Sequence, residues 1–289
     1  MTGCRFVHDH KAEYCVTDLC RVIELPRSTY YAWVNYQPSH RELANNELLN
    51  QIVDIHRRSR HTYGVPRVWG QLRNRDLRVG RHRVARLMAR HGLVGVHGRK
   101  KWRRGRVDTA FAPDQLNRDF SALGPDERWV ADLSEFHCLD GKLFVAGIRD
   151  LFDKTLVGWS MGERQTTDLV VSALVMALSR RAPDKELVHH SDKGSQYTSL
   201  EFANRLAAWN ITASFGSTGD AYDNAAMETF WAVTKREIEF LHGPVKNKTR
   251  SQLRTIIFDY VEVFYNRERH QAGLGHRTPA EVYASAMVA

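Results

Sequence analysis

The chain has 289 residues, of which 43% are hydrophobic and 26% charged, and its net charge is +9. This length fits about two domains, and the composition allows a packed core. No apolar run of about 18 residues occurs, which excludes a membrane-spanning helix. The N-terminus has no apolar signal-peptide core and the four cysteines are scattered. We therefore expect reduced thiols in a cytoplasmic protein.

The positive charge is concentrated in one part of the chain. Residues 56–106 hold 17 Lys and Arg against one acid, a local charge of +16, whereas the remaining residues carry −7. Such a block repels itself unless a polyanion neutralises it, and nucleic acid is the first candidate. A solvated arginine-rich helix face or a charged linker is the alternative.

Residues 15–35 predict two helices joined by a turn at Pro26, with Leu19 and Cys20 on an apolar stripe. Ser28 is the expected N-cap of the second helix. The pattern is typical of a helix-turn-helix, but two packed helices without a DNA role fit equally well. A zinc site is conceivable nearby, although its spacing matches no common motif. Buried thiols and surface histidines are the default for these residues, namely His8, His10, Cys15 and Cys20.

Residues 41–94 predict three further helices. Leu43 and Ile52 belong to the apolar stripe of the first, and Val68 to that of the second. The third is rich in arginine and should end at Gly92, as is typical of a recognition helix that enters a major groove. Its expected inward residues are Val84, Leu87, Met88 and His91. Its expected DNA-binding residues are Arg81, Arg83, Arg86 and Arg90.

Residues 97–127 predict a basic linker with little periodicity. Trp102 lies there among four basic residues and could stack on a base or lie along a groove. A disordered basic linker is an equally good interpretation. The basic neighbours, which are further DNA-binding candidates, are Lys100, Lys101, Arg103 and Arg104.

From residue 128 the pattern changes to three strand-like runs, followed by alternating helices and strands. This order predicts a mixed α/β sheet. The expected organisation is a helical DNA-binding region at 1–96, the linker at 97–127, a mixed α/β core at 128–249, and a C-terminal helix and tail at 250–289. That helix should pack through Ile256, Tyr260, Val263 and Phe264. The stretch "RERHQAGLGHRTPAE" is predicted to be too polar for the core and to be a candidate for DNA contact.

Three acids stand out in the second half of the chain. Asp132 lies inside the first strand on the face of Val130, where burial is costly without a partner. Asp192 follows the fourth strand, at the edge where α/β sheets bind ligands. Glu228 lies on a late helix, at the edge of its apolar stripe, and Lys235 projects the same way two turns later. Singly, Asp192 has a simpler interpretation as a turn residue and Glu228 as an ordinary helix carboxylate, whereas Asp132 is harder to explain in this way. The expected stripe is Met227, Phe230, Thr234, Ile238 and Leu241.

The spacing of these acids is specific. Fifty-nine residues separate Asp132 from Asp192, and 35 separate Asp192 from Glu228. With "WVADLSEF", "HHSDKGSQYTS", "YDNAAMETFWAVTKREI" and "YNRERHQAGLGHRTPAEVY", the chain resembles the DDE transposases and retroviral-type integrases. Within these it is similar to the second-reading-frame (OrfB) product of the insertion sequence three family. One departure is that residues 216–220 lack the Lys or Arg that many relatives carry there.

The resemblance implies a ribonuclease-H-like core preceded by helix-turn-helix modules. It implies a bacterial transposase whose Asp132, Asp192 and Glu228 hold two Mg²⁺ or Mn²⁺ ions, with Asp132 bridging both. Oxygen ligands favour these hard cations. The implied reaction is cleavage at the element's ends, freeing a 3′-hydroxyl, and then strand transfer. Lys235 would pair with a phosphate.

The implied partners are double-stranded DNA, as terminal inverted repeats and target, and at least one further copy of the chain. An upstream frame (OrfA), as a partner or a fusion, is also implied for full activity. The DNA-bound protein would be associated with the nucleoid.

Other residues near the acids have supporting roles in this interpretation. Ser191, Gly194 and Gln196 are expected to shape the loop that presents Asp192. Asp223, with Asn224, is the expected cap of the Glu228 helix. His189 and His190 could contact DNA or the groups around a metal, but packing beside the fourth strand is the favoured interpretation.

Two other functions remain compatible with the residues. One is a DNA-binding regulator with an inactive nuclease-like core, and the other is a stand-alone nuclease of the same fold. A metal-dependent joining assay separates them from a transposase.

Overall fold

The computed structural model describes residues 2–96, 122–183, 186–215 and 225–288. The chain forms two compact units, Met1–Gln51 and Ile52–Ala289. In the first unit three helices, α1 (Thr2–His10), α2 (Val16–Val22) and α3 (Arg27–Val34), pack around a small apolar cluster. Since α1 makes part of this core, the unit has one helix more than the sequence patterns predicted. The cluster contains Cys4, Val7, Leu19, Cys20 and Tyr30.

Two details of the first unit differ from the predictions. Pro26 precedes α3 in an extended conformation, so the helix begins at Arg27 and Ser28 lies in its first turn rather than at the cap. No side chain caps this helix, because the residue at the cap position is a proline without a polar side chain. Cys20 is buried as expected, and so is Cys4, but Cys15 is exposed, contrary to the expectation of a buried thiol.

The three predicted helices of residues 41–94 are confirmed. They are α4 (His40–Arg58), α5 (Val65–Asn74) and α6 (Arg81–Arg90), and the boundary between the two units falls inside α4. Gly92 follows α6 with φ +64°, the left-handed conformation expected of a helix end. Two inward assignments were wrong: Leu43 is 53% exposed, and His91 is exposed because α6 has ended before it.

The second unit contains a five-stranded sheet in the order β3-β2-β1-β4-β5. Neighbouring strands β1, β2 and β3 are antiparallel, whereas β4 runs parallel to β1 and β5 parallel to β4. A hairpin meander followed by parallel strands is the predicted ribonuclease-H-like mixed sheet, which is thereby confirmed. The strands are β1 (Arg128–Cys138), β2 (Gly141–Asp150), β3 (Leu156–Gly162), β4 (Val188–Ser191) and β5 (Thr212–Phe215).

Helices cover both faces of this sheet, so β1 is buried on both sides. Trp129 and Ala131 face α7 (Thr167–Arg181) and α8 (Leu200–Ala208). Val130 and Phe136 face α9 (Ala225–His242) and the C-terminal helices. Alternate residues of a strand point to opposite faces, which explains how one strand serves two cores.

The C-terminal segment confirms a long helix, but its second half has π-helical geometry. Helix α10 (Arg250–Phe258) continues as a π-helical segment, Asp259–Glu268. The wider π turn changes which positions face inward, so Val263 is 40% exposed, contrary to expectation. Two short 3₁₀ turns and α11 complete the chain, at Val245–Asn247, Ala272–Leu274 and Pro279–Val288.

Asn266 of the π-helical segment binds the edge strand β3. Its Oδ1 accepts the N–H of Leu156 at 3.0 Å, and its Nδ2 donates to the carbonyl of Leu156 at 3.2 Å. The side-chain amide thus replaces a neighbouring strand at this position.

Of the helices that the structure describes, none is both long and apolar enough to cross a membrane.

Candidate active site and nucleic-acid surface

Asp132 lies in the middle of β1 and is partly buried. Across β2 it pairs with Gly147. On its other side β1 pairs with β4, where Val130 lies opposite His190. Two residues further along the parallel strands, Asp132 lies at the level of Asp192. The Oδ1 atom of Asp132 accepts the N–H of Leu133 at 2.8 Å.

Asp192 is exposed in the loop that leaves β4. The N–H of Gly194 donates to its Oδ1 at 3.1 Å, and a Cβ on Gly194 would lie only 3.0 Å from that atom. Ser191 donates its hydroxyl to the Asp192 carbonyl at 3.1 Å, and the Gln196 amide donates to the Gln165 carbonyl at 3.3 Å. These contacts hold the loop in the manner expected of Ser191, Gly194 and Gln196.

Glu228 lies in the first turn of α9 and is exposed. Lys235 is partly buried two turns later, with its Nζ 4.9 Å from the centre of the Phe136 ring. Helix α9 packs on the sheet through a buried face that agrees with the predicted stripe except at Leu241, which is only partly buried. That face also includes two residues that the stripe lacked. Its members are Met227, Phe230, Trp231, Thr234, Glu237 and Ile238.

The three carboxylates interact electrostatically. Burial raises the pKa of Asp132, and the charges of Asp192 and Glu228 raise it further, to about 7, although the Leu133 N–H and Lys235 oppose the shift. Burial also lowers the pKa of Lys235, against the effects of Asp132 and Glu135. The site therefore carries more negative charge than one lysine can balance, and a cation would relieve it.

The three carboxylates are chemically suited to a hard divalent cation, but they do not form a preorganised coordination site. Within residues 2–96, 122–183, 186–215 and 225–288, no three His, Cys, Asp or Glu side chains are close enough together to hold a metal ion. The exposed Asp192 and Glu228 would have to approach the partly buried Asp132 on binding. Carboxylate oxygens are the ligands that Mg²⁺ and Mn²⁺ prefer.

The two histidines of β4 pack beside the strand, as predicted. His189 is 1% exposed and lies against the rings of Tyr197 and Phe202, with centroids 6.3 and 5.3 Å away. His190 is 6% exposed, and its Nδ1 lies 3.0 Å from the hydroxyl of Ser214.

Two groups stand out among the arginines of residues 52–96. One group is engaged within the protein: Arg57, Arg58 and Arg75 all contact the carboxylate of Asp54, at 3.3, 3.0 and 2.9 Å. The other group lies on the surface of α6. There Arg81, Arg86 and Arg90 are exposed and Arg83 is partly buried.

Some predicted residues lie outside the described part of the chain. These are the linker candidates Lys100, Lys101, Trp102, Arg103 and Arg104, the cap candidates Asp223 and Asn224, and the stretch 216–220.

A buried charged cluster surrounds Glu237, which is 2% exposed, and was not predicted from the sequence. Arg269 donates to it twice at 2.8 Å, the Tyr260 hydroxyl donates at 2.9 Å, and Arg67 of α5 donates at 3.3 Å. Arg269 is 4% exposed, so the polar stretch that begins near it was wrongly excluded from the core. The one signal was an acid directly before Ile238 in the apolar stripe of α9.

Comparison with known proteins decides the family. An HTH-like domain matches residues 44–101, and two integrase core domain models match residues 122–221 and 228–284. The transposase for insertion sequence element IS629 of Shigella sonnei is 39% identical over 94% of this chain and 92% of that protein. Transposase InsF for insertion sequence IS3A of Escherichia coli (strain K12) is 31% identical over 96% of each chain. The chain belongs to the IS3-family transposases.

Another relative of this IS3-family transposase is the uncharacterized 31 kDa protein of insertion element IS600 from Shigella sonnei. It is 37% identical over 91% of this chain and 96% of that protein. Among solved structures, the magnesium complex of the HTLV-2 integrase catalytic core has a TM-score of 0.42 at 17% identity, over 56% and 98% of the two chains. A simian T-cell lymphotropic virus intasome in complex with PP2A regulatory subunit B56 gamma has a TM-score of 0.49 at 13% identity, over 71% and 67%.

Family membership confirms the predicted class of enzyme, a DDE transposase with an integrase-type core. Cores of this class are metal-dependent. The HTH-like and integrase matches together indicate DNA as the partner of this IS3-family transposase.

Proposed function

We propose that this transposase cleaves DNA at the ends of its insertion sequence and joins those ends to a target, with Asp132, Asp192 and Glu228 as its catalytic triad. The observation that carries the proposal is the position of Asp132. A partly buried mid-strand carboxylate has its pKa raised to about 7 by burial and by the other two acids. Such strongly perturbed acids are typical of functional sites.

The triad would hold two divalent cations, Mg²⁺ or Mn²⁺. When bound, such ions supply activation of the attacking water or 3′-hydroxyl and charge stabilisation at the departing oxygen. Lys235 neutralises a DNA phosphate beside Asp132, since its ammonium lies on the same face of α9 as Glu228. The Gly194 N–H orients the Asp192 carboxylate for its ligand role.

The DNA partners are the terminal inverted repeats and the target duplex. Residues 1–96 supply the DNA-binding helices, with Arg81, Arg83, Arg86 and Arg90 on the contacting helix. Residues 97–127 link them to the core at 128–249, followed by the C-terminal part at 250–289, and Lys100, Lys101, Trp102, Arg103 and Arg104 add contacts from the linker. Joining two ends requires at least two subunits. The upstream-frame protein completes the active assembly, which works in the cytoplasm on nucleoid DNA.

The test is cleavage and joining on duplexes that carry the terminal repeats, with Mg²⁺ or Mn²⁺, with and without the upstream-frame protein. The unaltered chain is compared with Glu228→Gln. Glu239→Gln serves as a matched control, because Glu239 is an exposed acid on the same side of α9. We expect metal-dependent products from the unaltered chain and the control, and none from Glu228→Gln, with DNA binding retained in all three.

Tight DNA binding without products in any protein, even with the upstream-frame protein, would instead support a regulator with an inactive core. Cleavage without joining would support a stand-alone nuclease.

A further inference from the structure

Glu237 is a buried carboxylate on α9, the helix that carries Glu228. No step of the proposed reaction uses it. It lies nine residues after Glu228 on α9 and points into the protein, at 2% exposure. Burial alone would raise the pKa of Glu237, but hydrogen bonds from Arg269 and the charges of Arg269 and Arg67 hold it below the ordinary value. The carboxylate therefore stays ionised and can bind cationic side chains at a fixed position.

The two arginines come from different parts of the chain. Arg269 follows the π-helical segment and is itself buried. Its guanidinium group donates to both carboxylate oxygens of Glu237 at 2.8 Å. Arg67 is on α5, in the basic helical region, and reaches Oε1 of the same carboxylate at 3.3 Å. One carboxylate thus joins α9 to the helices that carry the DNA-binding arginines.

Further contacts seat α5 on the C-terminal segment. Gly70 lies so close to the His276 ring that a Cβ would be 2.2 Å from it, and the Gln71 amide donates to the His276 carbonyl at 2.7 Å. The hydroxyl of Tyr63 accepts the N–H of His270 at 2.5 Å. These contacts involve small or neutral groups, and Arg67 adds a direct link to α9.

A second cation on Glu237 is not needed to satisfy the carboxylate. Arg269 already gives a bidentate pair, the strongest geometry for an arginine and a carboxylate. Adding Arg67 places two guanidinium groups near each other, and burial together with the charge of Arg269 lowers the pKa of Arg67. A link that brings like charges together is better explained by fixing α5 relative to α9 than by stabilising Glu237.

We infer that Glu237 and Arg67 are positioning residues, whose ion pair sets the distance between DNA held by α6 and the triad carried by β1, the loop after β4, and α9. This inference rests on the proposed function. DNA bound along α6 is then presented with one particular phosphate at the triad. Loosening the pair lets neighbouring phosphates reach the same carboxylates, so the position of the cut spreads without loss of DNA binding.

The test uses the full chain with Arg67→Met, which removes the link but leaves Glu237 paired with Arg269. Arg67→Lys is the conservative variant that can still reach the carboxylate. Arg73→Met is the matched control, because Arg73 lies on the same helix, is exposed, and stacks on Trp69 at 5.0 Å. The readouts are hydrogen exchange of the α5 amides, DNA affinity, and the distribution of cut positions on terminal-repeat duplexes.

In Arg67→Met we expect exchange in α5 to rise about tenfold or more, in line with the loss of a charged hydrogen bond. The cuts should spread over adjacent phosphates, while DNA affinity matches that of Arg73→Met. Arg67→Lys should restore both exchange protection and a single main cut.

Unchanged α5 exchange in Arg67→Met, or cuts as narrow as those of Arg73→Met, would overturn the inference. If the unaltered chain makes no cuts, the proposed function fails, and the exchange comparison still decides whether the ion pair fixes α5.

Discussion

Gly147 pairs directly with Asp132 across β1 and β2, and the ring of Trp231 fills the space that a side chain at Gly147 would occupy. A Cβ there would lie 2.9 Å from Cζ2 of Trp231 and 3.3 Å from Cδ1 of Leu156. Trp231 belongs to the first turns of α9, close to Glu228. Because Gly147 has no side chain, α9 can approach β1, the strand that carries Asp132.

Gly147→Ala should displace Trp231 and reduce both stability and strand cleavage. Overpacking a dense core costs about 1–3 kcal/mol, measurable as a lower free energy of unfolding in denaturant. Cleavage should fall more than stability explains, because α9 moves Glu228 away from Asp132. In a Trp231→Leu background, Gly147→Ala should lower the free energy of unfolding by less than it does in the unaltered chain. Equal costs in both backgrounds would show that the clash with Trp231 is not the cause.

Lys235→Met should weaken the contact to the DNA end. Lys235 is the cation that acts on Asp132 from α9, and we expect cleavage to fall about tenfold or more, with the salt dependence of DNA binding reduced by about one charge. Lys235→Arg should retain most activity. Arg236→Met, which removes an exposed charge from the next position, is the control. The prediction fails if Arg236→Met and Lys235→Met reduce cleavage equally.

Arg86→Ala and Arg90→Ala should each weaken DNA binding and lower the slope of log affinity against log salt by about 1. Both side chains are exposed on α6. Arg58→Ala removes an equal charge, but Arg58 is held by Asp54 at 3.0 Å, so its loss should affect the slope less. Fluorescence anisotropy at several salt concentrations measures all three variants. A larger effect of Arg58→Ala would place the DNA on another face.

His189 should make stability depend on pH. Burial, with a smaller effect of the neighbouring His190, lowers the pKa of His189 to about 4 from its usual 6.5. Between these values the unfolded chain binds a proton that the folded chain excludes. The contribution of His189 to the free energy of unfolding should therefore be complete above pH 6.5 and decrease toward pH 4, by on the order of 3 kcal/mol. Asp132, whose pKa is raised to about 7, acts in the opposite direction over this range.

The matched variants are His189→Phe and His91→Gln. Phenylalanine fits the aromatic surroundings of Tyr197 and Phe202 and cannot titrate, so the stability lost between pH 6.5 and 4 should be about 3 kcal/mol smaller than in the unaltered chain. His91 is exposed, and its replacement should leave the slope unchanged. If the pH dependence of the free energy of unfolding is the same in His189→Phe as in the unaltered chain, it belongs to other groups.

Local patterns predicted much of this structure. The alternation of β1 placed Val130 and Phe136 on one face with Asp132, and the helical period of α9 placed Glu228 at the edge of its buried stripe. Both signals depend on residues a few positions apart, whose spacing directly reflects strand or helix geometry. The helical arginines of α6 were found for the same reason.

Pairings between distant residues were not predictable in this way. Glu237 lies 170 positions after Arg67 and 32 positions before Arg269. None of the three residues is unusual in its own segment. A polar stretch around Arg269 resembles a surface loop until the buried acid that neutralises it is known. The π-helical segment that exposes Val263 likewise makes a long-range contact, from Asn266 to Leu156 of β3.

The amide of Asn266 also sets a lower limit on any smaller active fragment. Strand β3 is an outer strand, and its first residue, Leu156, finds its hydrogen-bonding partner 110 positions later in the chain. A fragment that stops at the end of α9 would leave this backbone exposed as a template for pairing with other molecules. Shortened versions of the enzyme should therefore remain monodisperse only if they extend beyond the π-helical segment, and those cut before it should self-associate through β3.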